Sequence, residues 1–486
     1  MRLERDFLGE VEIASEALYG IHSLRAQNNF PDRTNFFKIW FQSMGAVKKA
    51  CYLSYSQFKQ QLARQYELDS LHFSVINDQS LQALIQAADE VWQGKHFDSF
   101  IVPAVAGGAG TSINMNVNEI IANRALELLG HRPGDYHIID PIEHANIFQS
   151  TNDVVPTALR VALMLSLSKL EEEVNKTRSQ LEILENKYRN SMRIGYTQMQ
   201  EAVPTSFGRL FGTYQEALSR DWWRISKCFE RIKVINLGGS AIGTGITVPK
   251  FFIFHVAEEL RQIVQLPLTK SDNLQDATSN LDSLVEVHGI IKSHAVNLEK
   301  MASDLRLLSS DLFSHRQMRI PARQVGSSIM PGKINPVIPE FIISAAAKIY
   351  ANDVMISGLA ARGVLELNAY LPLIGHALLD SLTLLQGCNQ TLLSNLLEGI
   401  DIEESGENFY FSPTLSTVLV PYIGYHAAGQ LAKKIKEQHV DIFEANRLLG
   451  LIDDQSLRSL ITPDQLLQLG FKFSQVKDVM AKKGDS

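Results

Sequence analysis

The sequence predicts a mainly α protein centred on a bundle of long helices. Two apolar stripes carry the prediction. Leu163, Leu167, Leu170, Val174, Leu181, Leu184 and Tyr188 recur in steps of four and three, with Thr177 in the one gap. Leu284, Val287, Ile291, Leu298, Met301, Leu305 and Leu308 repeat that spacing, with His294 in the gap. Glu171, Glu172, Glu173, Lys176 and Arg178 occupy the other faces of the first stripe. This is the periodicity of a helical seam, and one helix cannot bury such a seam alone. A helix from Asp153 to Arg189 would be roughly 55 Å long at 1.5 Å rise per residue. That exceeds the width of a typical domain, so the bundle is expected to organise an oligomer as well.

Along the chain three zones are expected: a mixed, mostly helical domain over 1–148, a central helical bundle over 149–400 and a small helical domain over 401–486. The first zone mixes short helical patterns with loops. Asn118 to Leu129 reads as a helix stopped by Gly130, and Gly130 to Asp135 as a turn-rich bridge. Just upstream, Asn114, Asn116 and Asn118 alternate with Met115 and Val117, a period of two that favours a strand. At the head of the second zone, Thr151-Asn152-Asp153 reads as a helix start, with Pro156 tolerated in the first turn. The last zone is more polar, with a helical stretch from Ile423 to Lys436.

Composition narrows the function. The chain has 486 residues, 45% of them hydrophobic and 20% charged, as expected of a globular protein with a large core. A net charge of −7 argues against a nucleic-acid partner, yet a local pocket can still be positive for an anionic substrate. Cys51, Cys228 and Cys388 are too few and too scattered for a disulfide framework or a metal site, which fits a reducing compartment. The opening Met1–Asp6 is charged and leads into no apolar stretch, so no secretory signal is expected. No apolar run is long enough for a membrane span. The expectation is a cytoplasmic protein with no membrane association.

The chemistry is concentrated in a few segments. The richest is Gly326-Ser327-Ser328-Ile329-Met330-Pro331-Gly332-Lys333-Ile334-Asn335-Pro336-Val337-Ile338-Pro339-Glu340. Glycine allows close backbone approach to a ligand, and proline holds a loop in shape. A hydroxyl, a cation and an amide can thus surround one small anion. Three more are Gly108 to Glu119, Gln149 to Asp153 followed by Pro156-Thr157, and Gly195 to Pro204. Leu18 to His22 and Gly238 to Gly245 add to the set. The last of these has the glycines of a phosphate loop but no lysine and no expected strand before it.

In this order and spacing the segments resemble the aspartase/fumarase superfamily, over nearly the whole chain and more thinly after about residue 430. The resemblance implies a three-domain, mainly α fold whose long-helix bundle forms the core of a homotetramer, with each active site collecting its motifs from three subunits; it also places a helix entrance at Asn114 to Asn118, against the period-two pattern there. It implies removal of a group from a four-carbon dicarboxylate to give fumarate, with no organic cofactor. Some members are assisted by a divalent ion; no cluster in the sequence proposes a metal. Ser327 matches the family's general base, which takes a proton from the carbon beside the β-carboxylate. A serine can do so only if its alkoxide is stabilised, so the loop's backbone N–H groups and Lys333 are expected to help. Thr111, Ser150, Thr151 and Ser328 match the donors to that carboxylate as it becomes enediolate-like. Lys333 and Asn335 match the residues that hold the α-carboxylate, and Asn152, Thr197 and Gln198 those around the leaving amine.

Gln198 leans toward the aspartase branch and the reversible conversion of L-aspartate to fumarate and ammonia. Fumarases carry a histidine there, paired with a glutamate matching Glu340. Hydroxide needs a proton to leave and glutamine has none to give, whereas ammonia leaves unaided. Ala109 points the same way. Departures keep other readings open. Tyr196 replaces a usual arginine, Glu201 a usual aspartate, and Asp311 to Ile320 lacks the family's glycines and places Gln317 where a glutamate is usual. Fumarate hydration, an N-substituted aspartate or other four-carbon dicarboxylate as substrate, and a non-catalytic oligomeric homologue are the alternatives. His144, His288 and His294 read as packed or surface residues.

Overall fold

The computed structural model describes residues 1–67, 75–313, 317–403 and 407–484. The architecture is mainly α. In chain order, β1 (Arg2–Asp6) and β2 (Gly9–Ile13) form a hairpin, followed by α1 (Ile21–Asn29), α2 (Lys38–Ala63), α3 (Asp78–Trp92), α4 (Thr111–Leu128) and α5 (Thr151–Lys187). A second hairpin, β3 (Met192–Thr197) and β4 (Gln200–Ser206), precedes α6 (Phe207–Ile232), β5 (Val234–Ile235), α7 (Lys250–Val264), β6 (Thr269–Lys270), α8 (Leu274–Ser279) and α9 (Asp282–Leu308). Then come β7 (Met318–Arg319), α10 (Val337–Ala360), α11 (Leu371–Asn395), β8 (Asp401–Ile402), α12 (Val420–Ile423), α13 (Tyr425–Gln438) and four short helices between Ile442 and Gly484. The short strands pair as β1–β2, β3–β4, β5–β6 and β7–β8; β5–β6 is parallel and the rest are antiparallel.

Both predicted stripes are helices. All named members of the first are buried, including Thr177, and so are those of the second except half-buried Leu308. Asn114, Asn116 and Asn118 lie in α4, so their alternation is not a strand signal; all three are buried and hydrogen-bonded. The helix stopped by Gly130 begins seven residues before its expected start at Asn118; buried Ile113 and Val117 continue its apolar spacing, interleaved with the asparagines. The stretch from Ile423 to Lys436 is broken: Gly424 takes a φ of 80° between α12 and α13. At 26 residues, α2 is longer than the short helical patterns expected in its zone. Gly45 interrupts its apolar pattern, and a Cβ there would lie 2.4 Å from the Trp92 backbone nitrogen, so the glycine permits close packing of α2 on α3.

The chain divides into two compact units. One comprises 1–172, 223–295 and 345–386, the other 173–222, 296–344 and 387–486. In the first, Phe36, Trp40, Phe41 and Phe100 form an aromatic cluster, and the Trp40 indole N–H donates to Val155 O of α5 at 3.4 Å. In the second, Met192 and Ile194 of β3 are buried with Leu415, Leu419, Leu431 and Ile435 of the C-terminal segment. That core anchors the root of the β3–β4 hairpin. The three cysteines are free and buried. No described helix is long and apolar enough to cross a membrane.

Candidate active site

In the first unit, two helix N-termini carry four of the expected residues. Gly108, Ala109 and Gly110 all take positive φ (83°, 58° and 91°), turning the chain sharply into α4, whose first residue is the exposed Thr111. A Cβ on Gly110 would lie 3.2 Å from Val155 Cγ1, so this turn packs against the first turns of α5. Ser150 caps α5: its Oγ accepts from Asn152 N at 3.2 Å, while its own N–H donates to Asp153 Oδ1 at 3.0 Å. The pair is a reciprocal capping arrangement with aspartate in the usual glutamate role. Thr151 and Asn152 follow, both half-buried.

Pro156 lies inside α5 and supplies no N–H to the carbonyl of Asn152 four residues back. Asn236 Nδ2 donates to that carbonyl instead, at 2.9 Å, and also to Thr278 Oγ1 at 2.9 Å. The Asn152 side chain donates to Ala241 O at 2.7 Å. Asp153 is fully buried, and its Oδ2 accepts from Gly238 N at 3.1 Å and Ser240 N at 3.0 Å. The glycine run that has the look of a phosphate loop thus cradles this chain's own carboxylate. It does follow a strand, the two-residue β5, which its short length concealed in the sequence. Burial pushes the Asp153 carboxyl up to about 6, against backbone N–H donors that hold it down.

Beneath Thr151 lies a buried polar network that the motifs did not disclose. Lys48 of α2 is completely buried, and burial pushes its ammonium down to about 7. Its Nζ donates to Asn114 Oδ1 at 2.7 Å and Asn146 Oδ1 at 3.2 Å. Asn114 Nδ2 donates to Thr151 Oγ1 at 3.3 Å. One signal was available in the sequence: Lys48 occupies the apolar stripe Met44, Cys51, Tyr55 of α2, where a cation needs partners.

In the second unit, the serine loop is closed on itself. Val325 and Ile334 form an isolated antiparallel bridge, Gly326 N donates to Lys333 O at 2.8 Å, and Asn335 Nδ2 donates to Gly326 O at 2.7 Å. Gly332 turns the tip with a φ of 80°. Within the loop, Ser327 Oγ accepts two backbone N–H bonds, from Ile329 at 3.2 Å and Met330 at 2.9 Å. Two donors on one serine oxygen favour its deprotonated form. Ser328 and Lys333 are exposed, and one hydrogen of the Asn335 amide stays free for a ligand.

Thr197 and Gln198 sit at the end of the β3–β4 hairpin. Thr197 pairs with Gln200, and the two residues between, Gln198 and Met199, have φ of 53° and 62°. Both central residues are left-handed, as a tight hairpin turn requires, but neither is the glycine or asparagine that does this cheaply. Such strain costs of order 1–3 kcal/mol per residue and concentrates at functional sites. Met199, Arg306, Lys333 and Asn335 line a single cleft of about 910 Å³ in this unit. Glu340, in the first turn of α10, faces Arg306 at 3.3 Å.

The family departures have physical partners. The Tyr196 ring meets Phe313 edge-on, with centroids 5.4 Å apart. Glu201 accepts from Ser412 Oγ at 2.8 Å, and Gln317 Nε2 reaches Met192 O at 3.5 Å. Ser314, His315 and Arg316 of the altered segment lie outside the described residues. His288 is buried between Asp353 (3.0 Å) and Ser381 (3.0 Å), and His294 is buried; both belong to helix packing. His144 Nδ1 accepts from Asp140 N at 2.8 Å in a turn.

The family model described as lyase matches residues 9–351. The chain belongs to the aspartase/fumarase superfamily, on its aspartase side. It is 38% identical to aspartate ammonia-lyase of Bacillus subtilis (strain 168), covering 96% of each chain. It is 35% identical to that of Escherichia coli (strain K12), covering 98% of each. Among solved structures, the fumarate lyase:delta crystallin of Brucella melitensis bound to cobalt superposes with a TM-score of 0.87 at 36% identity, over 96% of this chain and 98% of that one. A class II fumarase from Schistosoma mansoni gives 0.84 at 26% identity, over 95% and 98%. Among the described residues of this chain, no group of three or more His, Cys, Asp or Glu side chains is arranged to hold a metal ion.

Proposed function

We propose that this chain is an aspartate ammonia-lyase, a carbon–nitrogen lyase that converts L-aspartate reversibly to fumarate and ammonia. One observation carries the reading: the two backbone N–H groups on Ser327 Oγ, inside a loop shut by Gly326, Lys333 and Asn335. They supply what a serine needs to act as a base. The Ser327 alkoxide takes the proton from the carbon beside the β-carboxylate. The electron pair moves into that carboxylate, which becomes enediolate-like and gathers hydrogen bonds from Thr111, Ser150, Thr151 and Ser328. Lys333 and Asn335 hold the α-carboxylate. The pair then returns to form the double bond as the C–N bond breaks, with Asn152, Thr197 and Gln198 around the departing amine.

Gln198 and Glu340 support an amine over water as the leaving group. The glutamine offers no titrating proton, and the glutamate faces an arginine, not a histidine. No organic cofactor enters this chemistry. A homotetramer with shared sites, located in the cytoplasm, belongs to this reading; the three free, buried cysteines fit a reducing compartment. The test is spectroscopic. Purified protein is incubated separately with L-aspartate and L-malate, and fumarate is followed by ultraviolet absorbance. A rise with aspartate alone is expected; a rise with malate alone would make the chain a hydratase, and no rise with either would refute both.

A further inference from the structure

The asparagine alternation that misleads as a strand signal has a use. Asn114 and Asn118 are four residues apart and share a face of α4 turned toward Asn146, while Asn116 faces away, accepting from Ile101 N at 2.8 Å. Lys48 Nζ reaches the Oδ1 atoms of Asn114 and Asn146. As ammonium, Nζ has hydrogens and no lone pair, so it can only donate to both oxygens. That contact decides which way each amide faces, because a reversed Asn114 would set an NH₂ group against another donor. Asn114 Nδ2 therefore points away from the lysine, and its two hydrogens go to Asn146 Oδ1 at 3.0 Å and Thr151 Oγ1 at 3.3 Å. A threonine hydroxyl has a single hydrogen. With Asn114 occupying its oxygen as a donor, Thr151 keeps that hydrogen for a group outside the network.

We propose that Lys48 is a positioning residue for Thr151: by fixing the Asn114 and Asn146 amides, it makes the Thr151 hydroxyl a dedicated donor to the substrate carboxylate. Lys48 itself touches no substrate in this scheme. The inference rests on the reading of Thr151 as a substrate donor, so the experiment separates the two. Measure kcat/KM for L-aspartate in the unaltered enzyme, Thr151→Val, Lys48→Met and the double variant. Thr151→Val should lower kcat/KM on the order of a hundredfold, as removal of an oxyanion donor does. Lys48→Met should lower it about tenfold or more. In the Thr151→Val background, Lys48→Met should cost less than about twofold, because its only route to the substrate is already gone.

Equal factors in both backgrounds would overturn the proposal and leave Lys48 a structural residue. An unchanged kcat/KM in Thr151→Val would overturn the reading of Thr151, and the proposal with it. If Lys48→Met does not fold, Asn114→Asp takes its place in the same cycle. That change is near-isosteric, keeps an oxygen for Lys48 and removes the donor to Thr151. Its cost should likewise vanish in Thr151→Val, whereas simple charge repulsion of the substrate would persist there and count against the proposal.

Discussion

Gly326→Ala tests the geometry of the serine loop. The glycine is not in a left-handed conformation, so its requirement is steric. A Cβ there would lie 2.7 Å from Asn335 N, 2.8 Å from Asn335 Cγ and 2.9 Å from Asn335 Nδ2. Backbone cannot yield at such distances without the two strands of the loop parting. Parting them breaks the bonds that close the loop, Asn335 Nδ2 to Gly326 O and Gly326 N to Lys333 O. At about 1 kcal/mol net each, their loss totals about 2 kcal/mol. If the loop must be closed to react, that energy is taken from transition-state stabilisation, and kcat/KM for L-aspartate falls about thirtyfold. The loop is largely exposed and lies outside the core, so global stability should fall by no more than about 2 kcal/mol, the worth of the two bonds. Initial rates of fumarate formation and calorimetric melting give both numbers. Undiminished kcat/KM in the folded variant would show that loop closure, as described, is irrelevant to turnover. A loss of stability well beyond about 2 kcal/mol would show that the effect is not local.

Three other outcomes are expected. Asn236→Leu leaves the Asn152 carbonyl without its 2.9 Å donor, in a helix where Pro156 cannot replace it; urea unfolding should show a loss of about 1–3 kcal/mol, partly recovered by adding Pro156→Ala. Glu340→Gln should change kcat/KM for aspartate by less than about twofold, since it removes only a solvent-exposed ion pair to Arg306; a large loss in initial-rate assays would restore Glu340 to the reacting groups. Burial raises the Glu90 carboxyl, but bonds from Arg124 and His96 outweigh that and hold it at about 2, below its ordinary 4.5. The stability it contributes is therefore present above pH 4.5 and is lost as pH falls toward 2. The stability difference between the unaltered protein and Glu90→Gln should shrink over that window in acid-unfolding curves.

The long helices were legible because hydrophobic spacing and burial are the same fact seen twice. The leucine stripe from Leu163 to Tyr188, with the helix start read at Thr151-Asn152-Asp153, placed α5 over Asp153–Arg189, within two residues at each end. The segment from Gly326 to Glu340 was legible as a loop because glycine frees its backbone and proline confines it; its closure on itself was not. Other parts were hidden for identifiable reasons. In the first turns of α4, asparagines that satisfy buried polar partners alternate through the chain and mask the helical spacing of buried Ile113, Val117 and Ile121. The hairpin tip at Gln198 and Met199 lacks the turn residues that announce such a bend; strain held by the buried roots of β3 takes their place. Lys48 and Asn236 act through partners far away in sequence, Asn114 and Asn146 for one and Asn152 for the other, and no local pattern encodes those pairings.

The most direct measurement is made on Ser327→Ala. Fumarate formation from L-aspartate and the binding of a saturated four-carbon dicarboxylate are measured on the same folded preparation. Turnover should fall by at least about a thousandfold, the scale of losing a catalytic group that acts only in the transition state, while the dicarboxylate still binds. A folded variant that keeps turning over aspartate at near the original rate would mean that another group takes the proton.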